Sequence, residues 1–285
     1  MIPSTFDYLA PSSVEETVAA LQRTPFGAKV LAGGQSFLPV LKLRMADPDL
    51  VISLNKIPGI SGAEVQGETL VVGAMTTHAH AASDPLIAQY APLLAQAASV
   101  VADPQVRHRG TLGGATVHAD PAGDIGPALL ALDAVFVITG PDGSREVGAK
   151  DFFIDIFTTD LEDDEVLTHI KIPSHHGWVS HYEKFNRVAQ QWSIVASGVA
   201  VKLDGDTISQ ARVGLANMGP TPLRADAVEQ ALTGASLTRH TIEEAATLAG
   251  EGTDPESDLN GDSAYRKHLA GVLTRRALLA ATGIE

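Results

Sequence analysis

The sequence predicts an α+β protein built in two parts, and three observations carry that reading. Apolar runs of strand character are interleaved with capped, helix-period stretches as far as Pro173. A break rich in proline, histidine and glycine comes next, at Pro173-Ser174-His175-His176-Gly177. Beyond it come three strand candidates in succession and then only helices, the order expected of a sheet with helices on one side. A chain of 285 residues suits two domains, or one domain with subdomains.

Taken in order, Pro11-Ser12-Ser13-Val14-Glu15-Glu16 opens the first helix. Ser13 and Glu16 have capping-box spacing, and Val14, Val18 and Leu21 share one face. Lys29 to Ala32 reads as a short strand running into Gly33-Gly34. Leu38 to Met45 reads as a helical turn and Leu50 to Leu54 as a buried strand, so the beginning is a small βαββ-like unit. Glu64 to Ala74 predicts a hairpin turning at Gln66-Gly67-Glu68. Asp84-Pro85 predicts a capped helix start, and Pro92 divides the helical stretch there in two, the second helix running over Leu93 to Val101. Ile125 to Leu132 reads as helix, Val135 to Ile138 as strand, Pro141 to Ser144 as turn, and Val166 to Ile172 as a strand ending at Pro173. The three later strands are Val179 to Arg187, Ile194 to Leu203 and Thr207 to Asn217, the last two joined at Asp204-Gly205-Asp206. Pro222 to Leu232, Thr241 to Leu248 and Ser263 to Ala281 are helical by pattern.

Composition excludes several kinds of chemistry. A net charge of −14 repels nucleic acid and anionic membrane over most of the surface. The basic runs, Arg107 to Arg109, Arg266-Lys267-His268 and Arg275-Arg276, read as solvated faces. With no cysteine, the chain has no disulfide, thiolate nucleophile, iron–sulfur cluster or cysteine zinc site of its own. No signal-like start and no membrane-length apolar run is present, which predicts a cytoplasmic protein.

Two glycine runs stand out. Ala32-Gly33-Gly34-Gln35-Ser36 and Arg109-Gly110-Thr111-Leu112-Gly113-Gly114-Ala115 each place paired glycines beside a hydroxyl. Such runs admit φ > 0 and bare N–H groups that can nest an anion, and two of them suggest two adjoining anionic groups, as in a dinucleotide pyrophosphate. Either pair taken alone reads as a tight turn; it is the two together that point to a phosphate site. A Rossmann site is excluded, because Gly250-Glu251-Gly252 lacks its third glycine, and no Gly-x-x-x-x-Gly-Lys loop exists. His78 and His80 would share one side of a strand, but no third ligand accompanies them at a recognisable spacing, so no metal is expected. His118, Asp120 and Asp124 read as groups that orient a loop or bind a cofactor rather than as catalysts, and no Gly-x-Ser-x-Gly elbow exists.

The two runs, the first extending through Phe37-Leu38-Pro39 and the second through Ala119-Asp120-Pro121-Ala122-Gly123-Asp124, resemble the FAD loops of the molybdenum hydroxylase flavoproteins. That family comprises the medium subunits of aerobic carbon monoxide dehydrogenase and its relatives, and the flavin domain of xanthine dehydrogenase. The resemblance covers nearly the whole chain, including Phe6-Asp7-Tyr8, Glu165 to Pro173, Tyr182-Glu183-Lys184-Phe185, Tyr265 to Leu269 and Thr274 to Leu278. It implies a FAD-binding domain of the vanillyl-alcohol-oxidase type over 1–174, with subdomains about 1–55 and 56–174. A small α+β domain over 178–283, a three-stranded sheet with helices, would come after it.

By motif, the resemblance implies that Ala32, Gly33, Gly34, Gln35 and Ser36, with Thr111, Leu112, Gly113, Gly114 and Ala115, cradle the pyrophosphate and ribityl chain. Asp124, Leu167 and Lys184 fall where the family makes further flavin contacts. Trp192 falls where an aromatic approaches the isoalloxazine, although a core tryptophan is an equal reading. Gln35, Ala115 and Gln191 depart from the commonest pattern, which has histidine, asparagine or serine, and aspartate there. The family also implies partners: a molybdenum-cofactor large subunit and a 2Fe–2S small subunit, in a heterotrimer doubled to a hexamer that passes electrons to an external acceptor. The alternatives are a stand-alone FAD oxidase acting directly on a small substrate, and an anion-binding scaffold whose glycine runs are only turns.

Overall fold

The computed structural model describes residues 2–284. Strands β1 (Asp7–Leu9), β2 (Ala28–Leu31) and β3 (Leu50–Ser53) form a parallel sheet in the order β1-β3-β2. Parallel neighbours need crossovers, and the helices Val14–Arg23 and Phe37–Lys42 supply them. The expected βαββ-like unit is therefore β-α-β-α-β, because the helical turn read over Leu38 to Met45 is a short helix, Phe37–Lys42; β1, for which the sequence showed no pattern, is short and exposed. The first helix starts as read: Ser13 Oγ accepts from the Glu16 N–H at 3.1 Å, and Glu16 returns a carboxylate oxygen to the Ser12 N–H at 2.8 Å. Val18 and Leu21 close a small core with Ile52, Leu54 and Val166.

A five-stranded antiparallel sheet carries the second layer. Its strands are β4 (Ala63–Gln66), β5 (Thr69–Gly73), β6 (Val135–Gly140) and β7 (Gly143–Gly148), with a small β8 (Phe153–Asp155) and β9 (Thr158–Thr159) hairpin before β10 (Val166–Pro173). The order is β4-β5-β10-β6-β7. Helix Pro85–Tyr90 packs on it, and helices Pro92–Ser99 and Ile125–Ala131 share its core, which holds Leu93, Leu94, Leu129, Phe136 and Ile170. The division at Pro92 thus falls where the sequence put it. The histidine pair does not lie on a strand. Thr77 caps a helix over His78–Ser83, and two residues of a helix point about 200° apart. His78 is buried, while His80 sits outside against Asp84, Nε2 to Oδ2 3.0 Å. Among the described residues no cluster of three metal-ligating side chains occurs, and no helix is long and apolar enough to cross a membrane.

The last sheet consists of β11 (Val179–Phe185), β12 (Val195–Asp204), β13 (Thr207–Ala216) and β14 (Leu223–Arg224), antiparallel in chain order. It has four strands rather than the expected three. Leu223-Arg224 is an edge strand, not the start of the helix, which runs over Asp226–Leu232. The Arg224 side chain decides this, reaching Glu229 (Nε to Oε1 2.5 Å) and Asp133 (Nη1 to Oδ1 2.8 Å) from an extended backbone. The helix Ser263–Thr282 covers β11 and β12, capped by Asp262 at its start and by Gly283 at φ +70° at its end. Within it Arg266 is 2 % exposed, whereas Lys267 and His268 of the same basic run face solvent as read.

Candidate functional site

A cleft of about 620 Å³ opens where the three sheets meet. Val30 from the first sheet, Leu167 from the second and Lys184 from the third all line it. So does every residue singled out by motif except Leu112. Ala32 through Ser36, Thr111, Gly113, Gly114, Ala115, Asp124, Leu167, Lys184 and Trp192 surround one space. Leu112 is fully buried in the second core, its N–H donated to the Thr76 carbonyl at 2.9 Å. A motif read along the chain takes in every neighbour, whereas the first turn of a helix necessarily turns one side chain inward.

The two glycine runs differ in what they offer. Ala32 to Ser36 joins β2 to the short helix, and Gly34 holds φ +74°, a conformation that favours glycine. Among the described residues, no backbone oxygen accepts from the N–H groups of Gly33, Gly34, Gln35 or Ser36. Gln35, where the family commonly has histidine, folds back on its own loop, Nε2 to the Gly33 carbonyl 3.2 Å. Gly33 is glycine for another reason: a Cβ there would collide with the Arg109 carbonyl and lie 2.7 Å from the Gly110 Cα. The two runs therefore touch each other.

The second run is not an open nest. Residues Leu112–His118 form a helix capped by Thr111, so neither Gly113 nor Gly114 has positive φ. Its first N–H groups are engaged within the protein: Gly113 to the Ala74 carbonyl at 2.8 Å, Gly114 to Thr111 Oγ1 at 3.1 Å, Ala115 to the Thr111 carbonyl at 3.0 Å. Gly113 also packs so closely on Ala74 that a Cβ would sit 2.5 Å from that residue's methyl. What this run contributes is a bare surface rather than free donors.

Asp124 and Lys184 form a buried pair across the cleft, Nζ to Oδ2 2.7 Å, with side chains 2 % and 6 % exposed. Ser193 Oγ and Tyr182 Oη donate to the other carboxylate oxygen at 2.8 and 3.2 Å, and Lys184 also donates to the Val100 carbonyl. Burial raises the Asp124 carboxyl from its ordinary range, opposed by the Lys184 ammonium. Burial and the neighbouring carboxylate push the Tyr182 phenol up. All of these donors to Asp124 come from the C-terminal part, so the carboxylate joins the two halves of the molecule. Removing one partner of such a pair costs about 3–5 kcal/mol, because the other charge stays buried.

On the same side, Trp192 is 50 % exposed, which makes it a cleft residue and not core. Its indole lies 6.5 Å from the His118 ring, which in turn lies 5.0 Å from Phe157. Asp120 Oδ1 accepts the Ala122 N–H at 2.9 Å, the loop-orienting role read from sequence. Burial lowers the His118 imidazole and raises the Asp120 carboxyl. Leu167 reaches the cleft because β10 shifts register between Leu167 and His169, a bulge that re-aims the strand.

Sequence reasoning missed His78, Val101, Ala102, Val106 and Phe153, which also line the cleft. Ala102 stands at φ +41°, a conformation that nothing in an alanine announces. His78 lies beneath Gly110, where a Cβ would come within 2.9 Å of its ring. The apolar members read as core because a cleft wall has the composition of a core.

Known proteins resemble this chain along nearly its whole length. Residues 4–175 match the model of the FAD binding domain in molybdopterin dehydrogenase. The chain belongs to that family. Residues 180–281 match the CO dehydrogenase flavoprotein C-terminal domain. The carbon monoxide dehydrogenase medium chain of Hydrogenophaga pseudoflava is 41% identical over 99% of this chain and 98% of its own length. The solved carbon monoxide dehydrogenase from that organism, in a form lacking the Mo-pyranopterin moiety, superposes with a TM-score of 0.96 at 43% identity, covering 99% of each chain. Quinoline 2-oxidoreductase from Pseudomonas putida 86 gives 0.94 at 32%, again over 99% of each. As a member of this family the chain is a FAD-binding subunit of an oxidoreductase.

Proposed function

We propose that this chain is the FAD-carrying electron-transfer subunit of a molybdenum-dependent hydroxylase or dehydrogenase of the carbon monoxide dehydrogenase type. The observation that carries the reading is the first glycine run: four successive N–H groups without a backbone acceptor, bordering a cleft walled by all three sheets. An anionic pyrophosphate supplies the acceptors such groups lack. The volume suits a cofactor of this size. When bound, FAD supplies a redox centre that exchanges electrons singly or in pairs.

In this reading Gly33, Gly34, Gln35 and Ser36 hold the pyrophosphate, with Ala32 beside them. Thr111, Gly113, Gly114 and Ala115 let the cofactor approach the start of their helix closely. Asp124 and Lys184 shape the cleft from its far wall, Leu167 supplies apolar contact, and Trp192 faces the isoalloxazine. Leu112 drops out of the set. The division proposed is a FAD-binding domain over 1–174, split near residue 55, and a C-terminal domain over 178–283; a separate core from Ile194 to Leu278 supports the second, although Tyr182, Ala196, Ala200 and Ala216 pack into the core of the first.

Relatives named for carbon monoxide and for quinoline share this fold, which argues that the oxidised substrate is selected in another chain. The partners are then a molybdenum-cofactor large subunit and a 2Fe–2S small subunit, in a heterotrimer doubled to a hexamer. The cysteine-free chain needs such a donor, since it holds no cluster of its own. It receives electrons from the small subunit and hands them to an external acceptor. A cytoplasmic location agrees with the acidic composition. Purification of the full chain, followed by flavin absorbance and FAD quantification, tests the cofactor: one FAD per chain is expected. Protein that takes up no FAD on titration overturns the proposal.

A further inference from the structure

Both neighbours of Trp192 are tied down from distant parts of the chain, although the indole itself is half exposed. On one side, Gln191 Nε2 donates to Asn260 Oδ1 at 3.3 Å. Asn260 in turn donates its N–H to Asp258 Oδ1 at 2.7 Å, and that oxygen meets Arg266 Nη2 at 2.6 Å. On the other side, Arg266 Nη1 donates to the Ile194 carbonyl at 2.5 Å. Asn217 Nδ2 donates to the carbonyls of Ser193 and Ile194 at 2.9 and 3.2 Å. Arg266 thus reaches both flanks of the tryptophan, directly at Ile194 and through Asp258 and Asn260 at Gln191.

Two costs are borne to keep this arrangement. Arg266 is a buried guanidinium whose Nε has no partner among the described residues. Asn217 stands at φ +60°, the left-handed region, with its own N–H donated to the Pro121 carbonyl at 2.7 Å. Both costs touch the apolar core of the C-terminal sheet, made of Val195, Val199, Leu273 and their neighbours, at Ile194, the residue where that core meets the segment carrying Trp192. Both serve the short segment that leads out of β11 and past the cleft.

We propose that Asn217 and Arg266 are positioning residues that set the angle and depth of the Trp192 indole over the bound flavin, and so govern how the flavin meets its acceptor. The inference rests on the reading of the cleft as the FAD site. Aromatic contact depends on ring offset and tilt, so a loop free to swing loses it without losing the cofactor. The pyrophosphate grip lies on Gly33 to Ser36 and involves neither residue. Cofactor affinity and indole placement are therefore separable.

The test uses the full chain in a Trp178→Phe background, which leaves Trp192 as the sole tryptophan. FAD uptake is followed by flavin absorbance and indole placement by quenching of Trp192 emission. Asn217→Gly removes the two side-chain bonds, and glycine accepts φ +60° without strain, so the fold is retained. It is expected to bind FAD at unchanged stoichiometry and affinity while losing more than half of the quenching. Its flavin should also react faster with oxygen or artificial acceptors. Arg266→Met is expected to do the same, and Arg266→Lys to restore part of the quenching by keeping a donor for Ile194. Full quenching in Asn217→Gly with FAD bound overturns this inference alone. Failure of the parent chain to bind FAD overturns the reading of the cleft as well.

Discussion

Gly33 shows at the scale of one residue why the loop proposed for the flavin needs glycine: only a residue without a Cβ can make its contact with the partner loop. A Cβ there meets backbone at Arg109 and Gly110, which cannot swing aside, whereas a Cβ at Gly114 meets chiefly the Thr111 hydroxyl at 2.8 Å. Overpacking of this kind costs about 1–3 kcal/mol, roughly ten- to a hundredfold in affinity when the loop has to shift. Gly33→Ala is therefore expected to weaken FAD binding by about that factor, and Gly114→Ala by less, as measured by titrating the FAD-free chain. Equal affinities for Gly33→Ala and the parent chain would remove the contact between the loops from the site. His78 provides a second test, through acidity. Burial, aided by the Arg107 charge, lowers its imidazole from 6.5 to about 4. The unfolded chain thus binds the proton more readily than the folded one. The neutral ring's contribution is complete above pH 6.5 and disappears as pH falls from 6.5 toward 4. It is worth about 3 kcal/mol at most, at about 1.4 kcal/mol per pH unit. His78→Gln should show a shallower fall in stability across that window, read by urea unfolding at about pH 7 and about pH 4.5. Parallel pH curves would mean that His78 titrates as it does in the unfolded chain.

At the scale of elements, the helix Ile125–Ala131 is the joint of the molecule. It is apolar all round because it lies between two sheets, packed on β13 as well as in the second core. Gly214 in β13 lets the helix approach; a Cβ there would strike the Pro127 carbonyl. Asp133, just beyond the helix, is held by Arg212 at 2.9 Å and Arg224 at 2.8 Å. Asp124 stands at its other end and joins the cleft to Lys184. Gly214→Val is expected to destabilise the chain by about 1–3 kcal/mol and to lower FAD affinity, because it displaces the element that carries Asp124. Gly205→Asn, in the open turn between β12 and β13, is expected to stay within about 0.5 kcal/mol. Differential unfolding with FAD titration separates the two outcomes. A Gly214→Val chain with undiminished affinity would show that the joint is mechanically independent of the cleft.

For the whole molecule, the prediction concerns dependence on partners. The cleft contains His118 and Asp120, but Asp120 Oδ1 accepts the Ala122 N–H of its own loop, and both side chains line the space read as the cofactor's rather than a separate substrate pocket. The FAD-loaded full chain alone is expected to oxidise no carbon substrate, and co-expression with the molybdenum and iron–sulfur subunits to restore turnover. Stopped-flow flavin absorbance with candidate substrates is the measurement. Rapid, stoichiometric bleaching by a carbon substrate in the isolated chain would favour a stand-alone oxidase.

Much of this was legible in residues close together in the chain. The Ser13 and Asp84 caps, the turns at Gly67 and Gly205 and the division at Pro92 rest on bonds spanning a few residues, so local propensity determined them. The two glycine runs likewise suggested a nucleotide-type loop from sequence, and the lack of cysteine, taken with the family resemblance, implied electrons from another chain. What only the tertiary structure decided lies between residues far apart. The collision surface of Gly33 belongs to Arg109, the counter-ion of Asp124 is 60 residues away at Lys184, and the anchors of Trp192 come from Asn217 and Arg266. The same structure turned Leu112 into core, filled the N–H groups of the second glycine run from within and made Leu223-Arg224 an edge strand. Sequence pattern reports what each residue can do; which of its capacities is left over for a ligand depends on which partners folding has already supplied.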